Sequence, residues 1–353
     1  MLNIFKSWYK KYFSHPEAVL LLLFLMVSFG LIVTMGEILA PVMTSLVIVY
    51  LLQWWVNFLI NHNIPRNIAY PLVYIVFLAI FITAILVLLP LLWRQFSNLF
   101  TDLPYMLQNA KSSFIKLAEQ YPAYFSKQQI DTLFFSILSD IHVWAKTKVS
   151  SSFSYIPGII AWLVYLFLVP LLVFFFLKDS QIIINWFARF FPKNKKVLKT
   201  IWLEMDKQIG NYVRGKILQI TIASIINGMV FLFFDLNYAI LIAAIVGISE
   251  IVPYIGAVVV SIPLILVGYL QWGFSLKLGY LLGVYFIIQA LDGNVLVPIL
   301  FSKAVNLHPI AIVIAILFFG SLWGFWGVVF AIPLATLVKT VLMVWPIASG
   351  HTR

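Results

Sequence analysis

Two carboxylates stand inside strongly apolar sequence, Glu250 in ISEIVPYIG and Asp292 in QALDGNVLVP. A carboxylate in such surroundings is costly unless it faces a cavity or has a partner. Each is therefore read as a group that binds a cation, exchanges a proton or hydrogen-bonds a polar solute. Gln289 lies one turn before Asp292 and Asn294 beside it, which gathers amide and carboxylate chemistry in one short stretch. The structural alternative for Glu250 is a side chain that staples a chain break through backbone N–H groups. Asp235 and Lys303 follow apolar runs and are assigned to the membrane interface; Arg214 and Lys216 begin a run and are assigned to lipid headgroups.

Other chemistry is poorly supported. Cysteine is absent, which removes disulfides, thiolate catalysis and cysteine metal sites. The five histidines, His15, His62, His142, His308 and His351, show no ligand spacing. Gly210–Lys216 reads GNYVRGK, the first seven positions of a phosphate-binding loop, but Ile217 follows where Ser or Thr must reach Mg²⁺. No GxSxG elbow occurs. The chain is read as a non-enzyme without catalytic residues, metal ligands or cofactor.

The elements that must hold the two carboxylates follow from composition. Of the 353 residues 63% are hydrophobic and 10% charged, against about 25% charged in an average soluble domain. Apolar runs such as Ala18–Met35, Ala69–Trp93 and Ile156–Leu177 meet the ~20 residues a helix needs to cross hydrocarbon. In lipid the backbone must bond internally, so these runs are helices. The expected fold is an all-α polytopic membrane protein of about eight transmembrane helices. The first four are placed at roughly 18–36, 40–60, 69–93 and 156–177.

Loop charge sets orientation. Segment 178–216 carries nine Lys or Arg against Asp179, Glu204 and Asp206, and is assigned to the cytoplasm. Counting back places the N-terminus inside, in agreement with Lys6, Lys10 and Lys11; the turn at Glu37 falls outside, and the C-terminus returns to the cytoplasm. The net charge of +11 is accounted for by basic loops rather than nucleic acid. Between the third and fourth spans lies a polar outer insert, 94–155. There Ile130, Leu133, Phe134, Ile137, Leu138 and Ile141 share a helical face behind a capping box at Ser126 and Gln129. It is read as an amphipathic helix, on the membrane or a neighbouring subunit, or packed on its own chain. The organisation is 1–93 (three spans), 94–155 (insert), 156–216 (span 4 and basic loop) and 217–345 (C-terminal transmembrane region).

That last region contains a repeat. Leu236–Pro263 and Leu307–Leu334 align without gaps at an offset of 71, pairing Ala244 with Ala315, Ser249 with Gly320, Pro253 with Gly324 and Gly256 with Gly327; Pro263 and Pro333 are one out of register. About 15 apolar residues precede each break, short for a full crossing and suited to a re-entrant or broken helix of the kind that lines transport sites. The expected route runs between the two repeats, lined by Glu250, Asp292, Gln289 and Asn294, with Pro253, Gly256, Gly324, Gly327 and Pro333 permitting the breaks. Whether 236–270 and 307–341 are re-entrant or full spans stays open.

The strings NYVRGK, IVPYIGAVVVSIP, QALDGNVLVPILFSKAVNLHP and FFGSLWGFWGVVFAIPLATLVK, in that order, resemble the autoinducer-2 exporter family of PerM-like permeases, strongly over about 200–345. The chain departs in lacking a glycine before Asn237 and in carrying Glu250. Arg214, Gly215, Pro253, Tyr254, Gly256, Asn294, Pro298, His308, Pro309, Gly324, Gly327 and Pro333 match the family's motifs, and Pro298 joins the break positions on that ground. The resemblance implies a bacterial inner-membrane, homo-oligomeric permease, a pentamer in the family's pattern. It would move a small polar solute such as the autoinducer-2 furanone or, in some members, exchange sodium or lithium for protons. The partners expected are that solute or a monovalent cation or proton, and membrane lipids. Two rivals remain: the sodium(lithium)/proton antiporter, and a non-transporting scaffold or lipid-handling protein built on the insert.

Overall fold

A computed structural model describes residues 16–120, 128–129, 131–132, 134–136, 139, 156–189, 196–253, 255–301 and 307–344. Among these every regular element is helical. In chain order they are α1 (Pro16–Asn61), α2 (Arg66–Thr83), a π-helical turn (Ala84–Leu88), α3 (Leu89–Gln120), α4 (Ile156–Lys178), α5 (Ser180–Ala188), α6 (Lys196–Phe233), α7 (Ala239–Ser249), α8 (Ile255–Trp272), α9 (Leu276–Leu291), a second π turn (Asp292–Leu296), α10 (Val297–Phe301) and α11 (Pro309–Val344). Six described helices are long and apolar enough to cross a bilayer, or seven if the bent pair α4–α5 counts as one crossing.

The helices depart from the expected spans in informative ways. The first two expected spans fall on the two helical segments of α1, which meet at a kink whose non-helical residue is Met35 (φ −121°, ψ 17°), two residues before the expected turn at Glu37. The third runs on without a loop: Arg66–Ser112 is one 47-residue stretch. At 1.5 Å per residue that is about 70 Å, more than twice the hydrocarbon thickness. The first part of the insert is thus the continuation of a spanning helix. The capping residue Ser126 and most of the apolar positions behind it lie outside the described residues.

The two π turns have one cause. Each ends two residues before a proline, at Leu88 before Pro90 and at Leu296 before Pro298. A proline ring inside a helix collides with the carbonyl four residues back and donates no N–H. Widening the preceding turn relieves both problems, and the wide bonds are present as Leu89 N–H to Ala84 O and Val297 N–H to Asp292 O.

The chain divides into two compact units, one of 1–77, 167–217 and 298–353, the other of 78–166 and 218–297. In the first, Leu52, Val56, Ala69, Val73, Val169, Val173 and Leu177 form a core from α1, α2 and α4. Here α11 packs on α1. Gly36, next to the Met35 kink, lies against the indole of Trp323, next to Gly324, so the two breaks abut. Gly324 has φ 57° and ψ −135°, a conformation open to glycine and strained for side chains.

In the second unit Phe231, Ile242, Val246, Val260, Leu264, Leu281 and Tyr285 form the core of α6 to α9. The entry to α7 is built by side chains. Gln271 accepts from Asn237 N–H and donates to the Asp235 carbonyl, both at 2.8 Å, which fixes the α6–α7 turn. Gln95 of α3 accepts from Leu241 N–H at 2.8 Å, and Asp102, two turns later on the same face, accepts from the Tyr238 hydroxyl at 2.6 Å. Tyr238 itself takes the left-handed conformation, φ 60°.

Both sequence repeats use a glycine to close the break. A Cβ on Gly256 would run into the Ser249 carbonyl, and one on Gly327 into the Phe319 carbonyl. The paired glycines therefore each approach a carbonyl across the break, seven residues back in the first repeat and eight in the second. Gly256→Ala and Gly327→Ala are each expected to cost about 1–3 kcal/mol, read as a lowered unfolding temperature of detergent-solubilised protein; an unchanged temperature would mean the contacts are not tight. Burial first, then the hydrogen bond to Asp102, push the Tyr238 hydroxyl up to about 12. The bond that pins α7 is accordingly present below the ordinary phenol range near pH 10 and lost as pH rises through about 12. Tyr238→Phe should remove one phenol from the late part of a tyrosinate absorbance titration, and an unchanged late part would refute the assignment.

Candidate functional site

Gln219, on α6, organises the site. It is 1% exposed, and its Nε2 donates to Glu250 Oε2 at 3.1 Å and to Asp292 Oδ2 at 2.7 Å. Glu250 and Asp292 are 6% and 9% exposed. Because one nitrogen reaches both carboxylates, the two accepting oxygens lie within about 6 Å of each other. Groups 31 and 73 residues away from Gln219 are thereby joined inside one compact unit.

Local structure explains each position. α7 ends at Ser249, and Glu250 is its C-cap, in the break that precedes α8. A Cβ on Gly247 would collide with the Ser224 hydroxyl and reach the Ile220 carbonyl, so only glycine lets α7 lie this close to α6. That crossing, one turn from Glu250, brings the carboxylate to Gln219. Asp292 opens the π turn ahead of Pro298. The extra residue in that turn shifts every later side chain around the axis, a local register change of the kind found at functional sites.

The sequence-derived residues distribute unevenly. Glu250 and Asp292 are brought together. Gln289 is half-buried and hydrogen-bonds the Tyr285 hydroxyl, which also donates to the Ala257 carbonyl at 2.9 Å. Asn294 is exposed and bonds back to its own helix, donating to the Ala290 carbonyl at 2.8 Å. Pro253 lies in the break after Glu250 and Gly256 in the first turn of α8, whereas Pro298, Gly327 and Pro333 lie within helices. Tyr254 is outside the described residues. Lys216 departs from its assignment to headgroups: it is buried, with its ammonium 5.6 Å from the centroid of the Phe301 ring.

Gln219 and Gly247 build the candidate site and were not singled out from the sequence. A signal existed. Lys216, Gln219 and Asn227 fall at i, i+3 and i+11, one face of α6, and all three are buried. A polar stripe on a lipid-bound helix must turn toward protein, and this one does.

A protein-family model described as "AI-2E family transporter" matches residues 19–347. The chain belongs to that family. Relatives in the AI-2E transporter family include "Putative permease PerM" of Escherichia coli (strain K12), 42% identical over 346 residues and covering 98% of each chain. "Putative transport protein YrrI" of Bacillus subtilis (strain 168) is 25% identical over 309 residues, 86% of this chain and 85% of that one. A "Putative transport protein" of Thermotoga maritima is 22% identical over 323 residues, 90% and 91%. The protein is thus a multi-pass membrane protein of a transporter family, and Gln219, Glu250 and Asp292 form its buried polar centre.

Gln219→Leu removes a donor shared by two buried carboxylates and is expected to cost roughly 2–4 kcal/mol. Gln219→Glu should destabilise at neutral pH through a third like charge and recover on acidification, when a protonated carboxyl can donate in place of the amide. Thermal unfolding of both variants across pH 5–8 tests this; equal losses at every pH would remove the electrostatic explanation.

Proposed function

We propose that this AI-2E transporter is a secondary transporter that moves a small polar solute across the bacterial inner membrane, with Glu250 and Asp292 as the groups that bind the solute or a coupling cation. One observation carries the reading: two buried carboxylates share a single amide donor within a transmembrane unit. Like charges this close favour capture of a proton or a monovalent cation. Gln219 orients both acceptors and can exchange one bond for a solute hydroxyl or carbonyl.

The family description makes an autoinducer-2-like furanone the first solute to test, with export as the direction. A sodium(lithium)/proton exchange is the second reading, favoured by the same pair, because an antiporter needs a site whose occupancy by proton and metal ion is mutually exclusive. The basic segment 178–216 supports a cytoplasmic placement of that loop, and Lys6, Lys10 and Lys11 support a cytoplasmic N-terminus.

The test is reconstitution in proteoliposomes. Glu250→Gln and Asp292→Asn should each lower solute flux at least tenfold while the purified protein keeps its elution profile. A sodium pulse that shifts lumenal pH would select the antiporter, and efflux without a pH change would select the permease. Undiminished flux in both variants would overturn the role given to the pair.

A further inference from the structure

Helix α5, Ser180–Ala188, is bent 77° from the end of α4. The bend occurs at Asp179 (φ −104°, ψ 16°). Transmembrane helices tilt on average by about 20° from the bilayer normal, so a helix turned this far from α4 runs close to the membrane plane. Its surface is two-sided. Ile182, Trp186 and Phe187 are 69%, 52% and 56% exposed, and Ile184 is also exposed. Gln181 and Asn185, likewise exposed, form the opposite stripe and bond each other at 3.2 Å. In hydrocarbon that polar stripe would lack water, and in water the apolar side would be solvated at a cost. Only a boundary between the two satisfies both.

The charge pattern specifies the boundary. Lys178 immediately precedes the bend, and the sequence 189–199 carries Arg189, Lys193, Lys195, Lys196 and Lys199 with no acid. Tryptophan at interfacial depth and a basic run beside an amphipathic helix are the two features that attract acidic headgroups, at about 1 kcal/mol per cation near the surface. None of the residues of α5 belongs to the Gln219, Glu250 and Asp292 cluster, so this surface is a different element from the polar centre.

We infer that α5, with Lys178 and Arg189 at its two ends, forms an interfacial elbow that binds anionic phospholipid headgroups, with Ile182, Trp186 and Phe187 inserted among the acyl chains. The elbow holds the end of α4 at the lipid–water boundary, and its strength depends on the fraction of acidic lipid in the leaflet.

The absence of native cysteine makes a direct test available. Trp186→Cys and Asn185→Cys in the full chain each give one site for a nitroxide label, in nanodiscs of phosphatidylcholine alone or with phosphatidylglycerol at a 7:3 ratio. The label at 186 should collide preferentially with oxygen and the label at 185 with an aqueous nickel chelate. Added phosphatidylglycerol should deepen the 186 label, and replacement of Lys178 and Arg189 by Gln should reduce that response. Oxygen preference at both sites would mean a re-entrant segment within hydrocarbon, and chelate preference at both a water-facing loop; either overturns the proposal. So does a 186 label that ignores lipid charge, which would leave an amphipathic helix without headgroup recognition. Retained size-exclusion behaviour of each variant separates these outcomes from misfolding.

Discussion

A single primary amide that donates to two buried carboxylates is the interaction around which the second unit is arranged. Charge cannot be placed in an apolar interior without hydrogen-bonding compensation. Gln219 supplies that compensation to Glu250 and Asp292 at once. Its two amide hydrogens form a fork that fits two acceptors approaching from different helices, whereas a hydroxyl has one hydrogen to give. The geometry holds only if three elements are fixed together: the crossing of α6 and α7 at Gly247, the break after Ser249, and the π turn at Asp292. Each depends on glycine or proline, whose backbone properties no other residue reproduces.

The same economy runs through the rest of the molecule. Breaks in apolar helices expose backbone groups that lipid cannot satisfy, so each break is closed by a nearby contact. The first repeat closes on Gly256 and the second on Gly327. The α6–α7 turn is held by Gln271, Gln95 and Asp102, amide and carboxylate side chains on neighbouring helices. Of the buried polar side chains, Gln219, Glu250 and Asp292 make the polar centre, while Ser45, Asn227 and Thr336 bond carbonyls of their own helices. A transporter needs regions that can rearrange, and helix breaks joined by a few directional bonds are easier to switch than continuous packed helices.

Much of the architecture was legible in one dimension because lipid simplifies the problem. Hydrocarbon admits only helices here, and apolar run length counts them. The repeat offset of 71 identified Gly256 and Gly327 as equivalent, and both lie against a carbonyl. Two features were not legible in run length. It cannot tell a turn from a kink, and the turn expected at Glu37 is a kink at Met35. Nor can it tell where a helix leaves the bilayer, since α3 continues in helical conformation as its sequence turns polar. At the site, Glu250 and Asp292 stood out as charges in apolar sequence. Asn294 stood out equally but is satisfied by its own helix, a bond that composition does not reveal.

What the sequence determined by itself is the class of the protein and the identity of its costly groups, because the bilayer imposes rules on every residue independently of its neighbours. The family follows in the same way, from motifs in order along the chain. What only the tertiary structure decided is which costly groups share a partner. Gln219 is unremarkable in sequence, an amide in a helix that begins with basic residues. Its role arises from an approach of helices that a glycine side chain of one hydrogen permits, and from bonds spanning 31 and 73 residues, over which local sequence rules carry no information.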